Sequence, residues 1–398
     1  MSKLLSIYFL FAVTVFSQTY DTVSIMSYNI LNYPGTTGSQ RNPSFRLAVN
    51  TANPDIVALQ EMQSQAGVVS FLNFVLNFDS TTYTAGVFID GPDTDNAIFF
   101  KTSKFQFLEN RVIKTSLRDI NAFYLKYIET GDTLLLISLH LKASNSTSDQ
   151  QQRAREVDSL RKFTNALAPG TPFFVLGDFN IYTANEQAYI KLKQIMPDVE
   201  GHFYDPLNMP GTWNSQIYAI YHTQSPRTRS FGGGSTGGMD DRFDMILFSK
   251  SVFEPGGITY VPNSTVAYGN DGLHYNDSIN RPPNTAVGQE IADALHNAAD
   301  HIPVIVKVII PVVTTSVKDD NLPSDFVLSQ NFPNPFNPST GIVYSVSSPG
   351  DVRFDIYNSL GERVESRAFY GVYQGQYQFN WNAGGYASGL YFLKANSY

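Results

Sequence analysis

Cysteine is absent from this chain of 398 residues, and neither a long hydrophobic run nor an excess of positive charge is present. Without cysteine there are no disulfides, so the hydrophobic core must stabilise the fold. Bound metal is the other source of stability available to such a chain. Apolar residues make up 42% of the chain, enough for a sizeable core. The net charge of -8 argues against non-specific electrostatic binding of nucleic acid over the whole surface, although a local basic groove is compatible with it. The length predicts two folded units.

The N-terminus has the pattern of a secretory signal. Lys3 precedes an apolar stretch at residues 4–16, and Val15 and Ser17 provide a small-residue cleavage pattern before Gln18. This stretch is too short for a permanent transmembrane helix, which takes about 20 residues. We therefore predict a signal peptide at residues 1–17, a secreted protein and no stable membrane span.

Between residues 23 and 310, short apolar runs alternate with amphipathic stretches. The runs are rich in β-branched and aromatic residues and end in Gly, Asn, Asp or Pro, which is typical of strands. Helices are predicted at residues 150–167, 66–76 and 184–196. This mixture predicts a layered α/β or α+β sandwich. The predicted strands are residues 23–30, 56–59, 97–101, 122–128, 134–139, 172–176, 243–249 and 302–310.

Two long loops, residues 208–240 and 263–284, interrupt this pattern. The first ends in a glycine-rich run at residues 231–238, which lacks the following Lys-Ser/Thr and the βαβ context of a phosphate cradle. Long loops are usually functional or mobile, so we interpret the run as a flexible flap beside the site. Lys and Arg outnumber Asp and Glu over residues 101–126. This excess of positive charge fits either a solvent-exposed strand edge or a surface that attracts phosphate groups.

Five short polar motifs recur in a fixed order at the ends of apolar runs, and a sixth, Asp241-Arg242-Phe243-Asp244, leads into an apolar run. Carboxylates, amides and imidazoles at strand ends are the groups that a hard cation and a phosphate ester require. The motifs are Ser27-Tyr28-Asn29, Gln60-Glu61, His140-Leu141-Lys142, Gly177-Asp178-Phe179-Asn180, Asp241-Arg242-Phe243-Asp244 and Asp300-His301.

Oxygen ligands for a cation are available at two of these strand ends. Mg²⁺ binds oxygen in near-octahedral geometry and keeps several waters, so one or two carboxylates suffice. Glu61 comes directly after a predicted strand, and Asn29 provides a neutral amide that can orient a ligand or a water. Taken alone, a Gln-Glu pair is more often an exposed loop carboxylate.

The segment from Gly177 to Asn180 is the strongest local signal. Gly177 allows a tight backbone turn, and Asp178 and Asn180 can then point to one side of the sheet. Together they could hold an attacking water and a phosphoryl oxygen. The alternative is an ordinary β-turn, since Gly, Asp and Asn are turn residues.

The two histidines that adjoin long apolar runs differ in their neighbours. His140 alone would more often be a core histidine with its hydrogen bonds satisfied. His301 follows Asp300, and Asp244 lies at the approach to an earlier predicted strand. An imidazole held by one carboxylate, beside another that binds metal, can deprotonate water near neutral pH.

With these motifs in order, residues 23–308 resemble the endonuclease/exonuclease/phosphatase superfamily, which has the deoxyribonuclease I-like fold. The resemblance implies a four-layered α/β sandwich with its site at the edge between two sheets. It also implies a metal site built by Asn29 and Glu61, with Asp300 as a metal or phosphate-site ligand. Asp178 and Asn180 would orient the water and the phosphate.

The same resemblance implies roles for the imidazoles and their neighbours. His301 would be the general base, paired with Asp244. His140 would donate to a non-bridging phosphate oxygen and stabilise the charge of the transition state. Arg118 is the best candidate for the arginine that contacts the phosphate. Asp95 is the candidate for the carboxylate that supports His140, although its spacing is loose.

The function that this resemblance implies is a secreted, Mg²⁺-dependent phosphodiesterase, with Mn²⁺ or Ca²⁺ as alternative ions. A nuclease acting on extracellular DNA or RNA is the leading interpretation. A phospholipid head-group hydrolase resembling bacterial sphingomyelinase is the second, and a non-catalytic surface adhesin is the third. Relatives with this fold act on different phosphoesters, so the fold does not identify the substrate. We expect a monomer.

The C-terminal part changes in character after a predicted linker at residues 312–324. Strand-like runs at residues 342–346, 352–357 and 376–381 with Gly and Pro turns predict a small all-β sandwich. The opening Asn331-Phe332-Pro333-Asn334-Pro335-Phe336-Asn337-Pro338 and the close Ala387-Ser388-Gly389-Leu390-Tyr391-Phe392 make this part similar to a type IX secretion C-terminal sorting domain. The alternative is an accessory carbohydrate-binding sandwich. The catalytic domain is predicted at residues 18–311 and the sorting domain at residues 325–398, with the type IX machinery as its partner.

Overall fold

The computed structural model describes residues 19–230, 232–312, 326–346, 349–373 and 375–397. The predicted signal peptide and nearly all of the predicted linker lie outside these residues. The chain divides into two units, Met1–Thr314 and Thr315–Tyr398. The first unit contains the polar motifs, and the second contains the C-terminal all-β part.

The first sheet of the N-terminal unit is built around two parallel strands, β1 (Thr19–Tyr33) and β2 (Ile56–Met62). Strand β12 (Val304–Val312) pairs antiparallel with β1. The remaining strands are β3 (Tyr83–Ala85), β4 (Asp95–Lys101), β10 (Thr259–Tyr260) and β11 (Val266–Ala267). The order is β10-β12-β1-β2-β4-β3, with β11 also paired to β12.

The second sheet has the order β5-β6-β7-β8-β9. Its strands are β5 (Phe105–Ile113), β6 (Ile120–Tyr127), β7 (Thr133–His140), β8 (Phe173–Asp178) and β9 (Asp244–Phe248). Strands β7 and β8 are parallel, whereas β9 runs antiparallel to β8. This pairing brings the end of β7, the end of β8 and the start of β9 to one edge of the sheet.

The two sheets pack face to face, with helices on both outer faces. Side chains such as Ile25 and Ile56 from the first sheet meet Leu136 and Leu176 from the second in a continuous apolar core. This arrangement confirms the predicted four-layered α/β sandwich. The helices are α1 (Gly38–Ala52), α2 (Gln65–Phe71), α3 (Thr147–Thr164), α4 (Gln187–Lys193), α5 (Lys250–Phe253) and α6 (Gln289–Ala298), with a π-helical turn at Leu72–Leu76 and a 3₁₀ helix at Gln216–Tyr221.

Helix α3 shows how local sequence defines an element. Ser146 accepts a hydrogen bond from the backbone N–H of Asp149, whose carboxylate accepts one from the backbone N–H of Ser146. This reciprocal cap satisfies two donors at the start of the helix. Val157 and Leu160 on its inner face are fully buried against the second sheet. The helix therefore begins before the predicted residue 150 and ends at Thr164.

A chain of polar side chains crosses the otherwise apolar space between the two sheets. The Gln60 amide accepts from Ser27 Oγ at 3.4 Å and donates to Ser138 Oγ at 3.0 Å. Ser138 in turn donates to Asn96 Oδ1 at 2.9 Å, and Asn96 donates to Asn121 Oδ1 at 2.9 Å. All five side chains are buried, so each polar group needs the partners that this chain supplies.

The C-terminal unit is a sandwich of two three-stranded antiparallel sheets, as predicted. Tyr344, Phe354 and Phe379 belong to the apolar core between the sheets. One sheet has the order β13-β14-β17 and the other β16-β15-β18. The strands are β13 (Phe326–Leu328), β14 (Ser339–Val346), β15 (Gly350–Asn358), β16 (Arg363–Val372), β17 (Gly375–Asn382) and β18 (Tyr391–Ser397).

Candidate active site

The predicted motifs meet at one edge of the sandwich, because strands from both sheets end or begin there. In the second sheet, His140 at the end of β7 lies opposite Asp178 at the end of β8, and Asp178 lies opposite Asp244 at the start of β9. In the first sheet, Asn29 of β1 lies opposite Gln60 of β2. Each sheet therefore contributes part of one polar cluster.

Glu61 reaches this cluster through an irregular backbone. Its φ is +63°, in the left-handed region that residues other than glycine rarely adopt. The pairing of β2 with β4 also shifts register between Leu59 and Met62. The strand continues to Met62, so Glu61 lies in a bulge rather than after the strand. Backbone strain of this kind concentrates at functional sites, where the surrounding structure maintains it.

Asn29 is placed between two carboxylates and acts on both. Its Nδ2 donates to Glu61 Oε1 at 2.9 Å and to Asp178 Oδ2 at 3.1 Å, while its Oδ1 accepts from the backbone N–H of Leu31. The amide oxygen accepts one hydrogen bond and has a second lone pair, so the metal-ligand role predicted for Asn29 stays a prediction.

Asp178 occupies the centre of the cluster. Its Oδ2 lies 3.5 Å from His140 Nε2 and 3.6 Å from His301 Nε2, and its Oδ1 accepts from the backbone N–H of Asn180 at 2.9 Å. Burial raises the pKa of Asp178 to about 7; His301 opposes this increase, and the charges of Asp244 and Glu61 add to it.

The backbone before Asp178 requires a glycine. Gly177 has a φ of +135°, and a Cβ at this position would lie 1.9 Å from the carbonyl oxygen of Leu139 on the neighbouring strand. The close approach of β7 and β8 at this point brings His140 and Asp178 together. After Asp178 the chain turns through Asn180, whose φ is +50° and whose Nδ2 donates to Leu141 O at 3.2 Å.

His301 is held by a buried carboxylate. Its Nδ1 lies 2.7 Å from Asp244 Oδ2, and Thr223 Oγ1 accepts from the backbone N–H of Asp244. Burial alone would lower the pKa of His301, but Asp244 and Asp178 raise it well above its ordinary value. With the shared proton on Nδ1, the other nitrogen, Nε2, faces Asp178 and is the atom that can accept a proton.

His140 lies in a different electrostatic environment. Burial lowers its pKa well below the ordinary value, and the positive charges of Arg118 and His301 lower it further. Its Nδ1 is buried without a hydrogen-bond partner among the described residues, 3.8 Å from Glu61 Oε1. A neutral imidazole with an unused ring nitrogen is suited to donate a hydrogen bond to a ligand.

Asp300 and Glu61 provide the oxygen atoms that suit a divalent cation. Asp300 Oδ2 accepts from the backbone N–H of Ser235 at 2.6 Å, whereas Oδ1 is buried without a hydrogen-bond partner among the described residues. Burial, and then the charge of Asp300, raises the pKa of Glu61. Two carboxylates that repel each other in a buried place, one with an unused oxygen, fit a hard cation that keeps most of its waters. In the described part of the chain, no group of three or more His, Asp or Glu side chains by itself could hold a metal ion.

The two supporting residues that the sequence suggested lie in different surroundings. Arg118 Nη1 donates to Leu141 O at 3.3 Å and its Nε lies 3.1 Å from Asp93 Oδ2, so it is placed beside His140. Asp95 accepts from the backbone N–H of Gly91 at 3.0 Å. The carboxylates described within 4 Å of His140 are Glu61 and Asp178, so Asp95 is not the carboxylate that the structure places beside this imidazole.

The first long loop covers the Asp300–His301 pair through two contacts. The side-chain amide of Gln224 lies 2.6 Å from His301 Nε2. The glycine-rich segment (residues 232–238) approaches Asp300 so closely that a Cβ on Gly234 would lie 2.6 Å from Asp300 Oδ2. Sequence reasoning placed this loop beside the site but missed Gln224, because nothing in the surrounding residues marks it.

Residues 26–266, more than half of the chain, match the Endonuclease/Exonuclease/phosphatase family, so the chain belongs to this family. The family match supports a hydrolase of phosphoric esters. Residues 330–398 match the Secretion system C-terminal sorting domain, which confirms the predicted type IX sorting domain. No curated protein matches the chain.

Several solved structures resemble the N-terminal unit. Truncated TDP2 of Caenorhabditis elegans is 18% identical, with 72% of this chain and 97% of that chain covered and a TM-score of 0.46. The human Nocturnin catalytic domain with bound sulfate is 17% identical, with 73% and 97% covered and a TM-score of 0.45. A mannosyl-6-phosphatase of Bacteroides thetaiotaomicron is 17% identical, with 72% and 99% covered and a TM-score of 0.43.

The sorting domain supports secretion or attachment to the cell surface. Among the helices that the structure describes, none combines the length and the apolar character needed to cross a membrane.

Proposed function

We propose that this protein is a metal-dependent phosphodiesterase that hydrolyses DNA or RNA outside the cell. The observation that supports this most directly is the array Asp244–His301–Asp178, in which a carboxylate holds one imidazole nitrogen and a second carboxylate lies beside the other. Such an array can position a water and accept its proton. The nuclease part of the proposal rests on the endonucleases and exonucleases of the family.

The residues of the site divide the reaction between them. Asp178 orients the attacking water, and Nε2 of His301 takes its proton while Asp244 stabilises the imidazolium that forms. His140 donates to a phosphoryl oxygen on which negative charge grows, and Arg118 beside it adds positive charge. Asn29 keeps Glu61 and Asp178 in their orientations through two hydrogen bonds.

Enzymes of this family generally depend on a divalent metal. Glu61 and Asp300 would hold the ion, which when bound supplies charge neutralisation at the phosphoryl and leaving-group oxygens. Carboxylate oxygens suit Mg²⁺ and also Mn²⁺ and Ca²⁺, and Mg²⁺ is the ion that we propose.

A phospholipid head-group hydrolase is the second candidate, and one surface feature favours it. Ile217 and Ile220 on the 3₁₀ helix are 77% and 42% exposed, and Leu273 on the second long loop is 62% exposed. A Cβ on Gly272 would lie 3.3 Å from Ile220 Cβ, so the two loops meet here. An exposed apolar group of this kind suits contact with a lipid surface better than contact with a nucleic acid.

A substrate panel with the metal removed or restored tests the proposal. Purified protein would be assayed on plasmid DNA, RNA, sphingomyelin and a simple phosphodiester, with and without EDTA. We expect hydrolysis only with a divalent cation, and we expect Glu61→Gln to nearly abolish it without unfolding the protein. Glu254→Gln, at an exposed position beyond the opposite end of β9, is the matched control. Full activity in excess chelator would contradict metal dependence, and turnover of sphingomyelin alone would favour the second candidate.

A further inference from the structure

Gln224 contacts the atom of His301 on which the proposed reaction depends. The amide nitrogen of Gln224 lies 2.6 Å from Nε2, whereas Asp178 Oδ2 lies 3.6 Å from the same atom. Since Asp244 occupies Nδ1, the Gln224 side chain occupies the one remaining hydrogen-bonding position of the imidazole. This is the position that an attacking water must take to transfer its proton to His301.

The backbone of Gln224 is held on both sides, so this contact does not depend on an unsupported loop. The N–H of Gln224 donates to Asp241 O at 3.1 Å, and its carbonyl accepts from the N–H groups of Asp240 and Asp241. Gln224 also forms an isolated bridge with His301 itself. The neighbouring Thr223 carbonyl accepts from the N–H of Ile302 at 2.8 Å. The backbone therefore stays beside His301 when the side chain changes rotamer.

The Gln224 side chain is less enclosed than the residues that it contacts. Gln224 is only partly buried, while Asp178, Asp244 and His301 are almost completely buried. A primary amide has a donor and an acceptor on one planar group, so it can hydrogen-bond to an imidazole or to a water in either sense. A change of side-chain rotamer that withdraws the amide from Nε2 would let a water take this place and hydrogen-bond to both groups.

We propose that Gln224 is a water-positioning residue, which occupies the place of the nucleophile in the resting protein and orients the water when the substrate binds. This inference rests on the proposed function. In the reaction the water oxygen bonds to phosphorus and one water proton passes to Nε2 of His301. The bond from phosphorus to the leaving oxygen breaks, and that oxygen keeps the electron pair and takes a proton from solvent. The Gln224 amide binds the water until its oxygen reaches phosphorus.

A second pair of hydrogen bonds links the residue after Gln224 to Asp300 and supports a positioning role. Ser225 Oγ donates to the carbonyl of Ser235 at 2.9 Å, and the N–H of Ser235 donates to Asp300 Oδ2 at 2.6 Å. Residues 224 and 235 thus each contact one member of the Asp300–His301 pair, and Ser225 links the two contacts. These contacts fix the positions of Gln224 and Asp300 relative to each other.

The test compares two Gln224 variants with wild type on whichever phosphodiester wild type cleaves. Gln224→Leu removes both polar atoms at similar size, and Gln224→Asn withdraws the amide by one methylene. Gln216→Leu, at an exposed position on the same loop, is the matched control. For Gln224→Leu we expect kcat to fall by about 10- to 100-fold with KM little changed, because a misplaced nucleophile affects the chemical step. Gln224→Asn should fall between Gln224→Leu and wild type.

A second measurement separates water positioning from a merely structural effect. In buffer that contains methanol, the methanol oxygen can attack phosphorus in place of water and form a methyl phosphodiester while releasing the same alcohol. Loss of the amide removes the hydrogen bonds that favour water over an alcohol at this position, and the apolar leucine side chain is a better neighbour for a methyl group. The ratio of methyl ester to hydrolysis product should therefore rise in Gln224→Leu and stay at the wild-type value in Gln216→Leu.

The outcomes separate this inference from the function on which it rests. Wild-type kcat in Gln224→Leu, a raised kcat, or a lower kcat with an unchanged product ratio would each overturn water positioning. Thermal unfolding of each variant checks that the fold is retained, and Gln224→Asn carries the test if Gln224→Leu does not fold. If wild type itself cleaves no phosphoester in the presence of metal, the proposed function fails first.

Discussion

The two histidines at the edge of the sandwich are both buried, yet their surroundings shift their pKa values in opposite directions. His301 is paired with Asp244, and the pKa of His301 is raised well above its ordinary value. His140 lies beside Arg118, and the pKa of His140 is lowered well below its ordinary value. Both imidazoles approach the same oxygen of Asp178.

This difference in pKa suits the two histidines to different roles. A histidine with a carboxylate partner can gain a proton and keep it, which is the requirement for a base in the reaction. A histidine that stays neutral beside a positive charge can donate a hydrogen bond without exchanging its proton. One oxygen of Asp178 between them sets the spacing of both groups.

Removing the charged side of this pair should have the largest effect. We expect His301→Ala and Asp244→Asn each to lower the rate by at least about 10²- to 10⁴-fold, because both serve one proton transfer. The double variant should lose little more than the worse single variant, since residues that act as a unit are not additive. Turnover of the three variants is the measurement. Near-normal rates in His301→Ala, or multiplicative losses in the double variant, would contradict the pairing.

Removing the neutral side should cost less. We expect His140→Ala to lower kcat by about 10²- to 10³-fold, the usual effect of losing one donor to a developing oxyanion. A combination with His301→Ala should be closer to additive than the Asp244 combination, because the two imidazoles perform different tasks, although the Asp178 oxygen that they share leaves some coupling between them. The double-mutant cycle measures this. Strong coupling between His140 and His301 would show that they act as one unit.

The pH profile should distinguish the two imidazoles by the direction of its shift. Asp244 raises the pKa of His301, so the base stays protonated up to a higher pH and activity falls on the acid side. In Asp244→Asn that pKa falls, and the residual activity should persist to lower pH. His140→Ala should leave the shape of the acid limb unchanged, because His140 is already neutral there. A shift of the acid limb toward higher pH in Asp244→Asn would contradict this order.

The C-terminal sandwich should have the smallest effect on either histidine. The contacts described above for the two imidazoles are all made by residues of the unit Met1–Thr314. Deletion of residues 325–398 should therefore leave kcat and the pH profile unchanged within error and should block export, which depends on the sorting domain. Kinetics of the purified truncation and its location in the producing cell test the two parts. Loss of turnover in a folded truncation would show that the tail contributes to catalysis.

The sequence predicted the sandwich and most of its central strands because those strands are continuous apolar runs with clear ends. It missed β5 and α1 for physical reasons. Strand β5 lies at a sheet edge, and most of its side chains are at least partly exposed, so it lacks such a run. Helix α1 contains Pro43 and has only a weak apolar face, yet Phe45 and Val49 are fully buried. Tertiary packing outweighs local propensity there.

The site was predictable as a set of residues but not as a set of contacts. The motifs identify Asp178, Asp244 and His301 because short polar signatures end apolar runs. The position of the Asn29 amide between two carboxylates depends on a register shift in β1, and the contact of Gln224 with His301 joins residues far apart in sequence. Neither local propensity nor apolar periodicity includes such pairings.

The polar chain from Ser27 to Asn121 has a consequence for how the two halves of the site stay aligned. Hydrophobic contacts have no preferred direction, so an apolar core alone would allow one sheet to slide across the other. Directional amide and hydroxyl bonds tolerate little of it, because a displaced partner leaves a buried polar group unsatisfied. Glu61 belongs to the first sheet and His301 lies just before its strand β12, whereas His140 and Asp178 belong to the second sheet. The alignment of the reacting groups thus depends on side chains such as Ser138 that never approach the substrate.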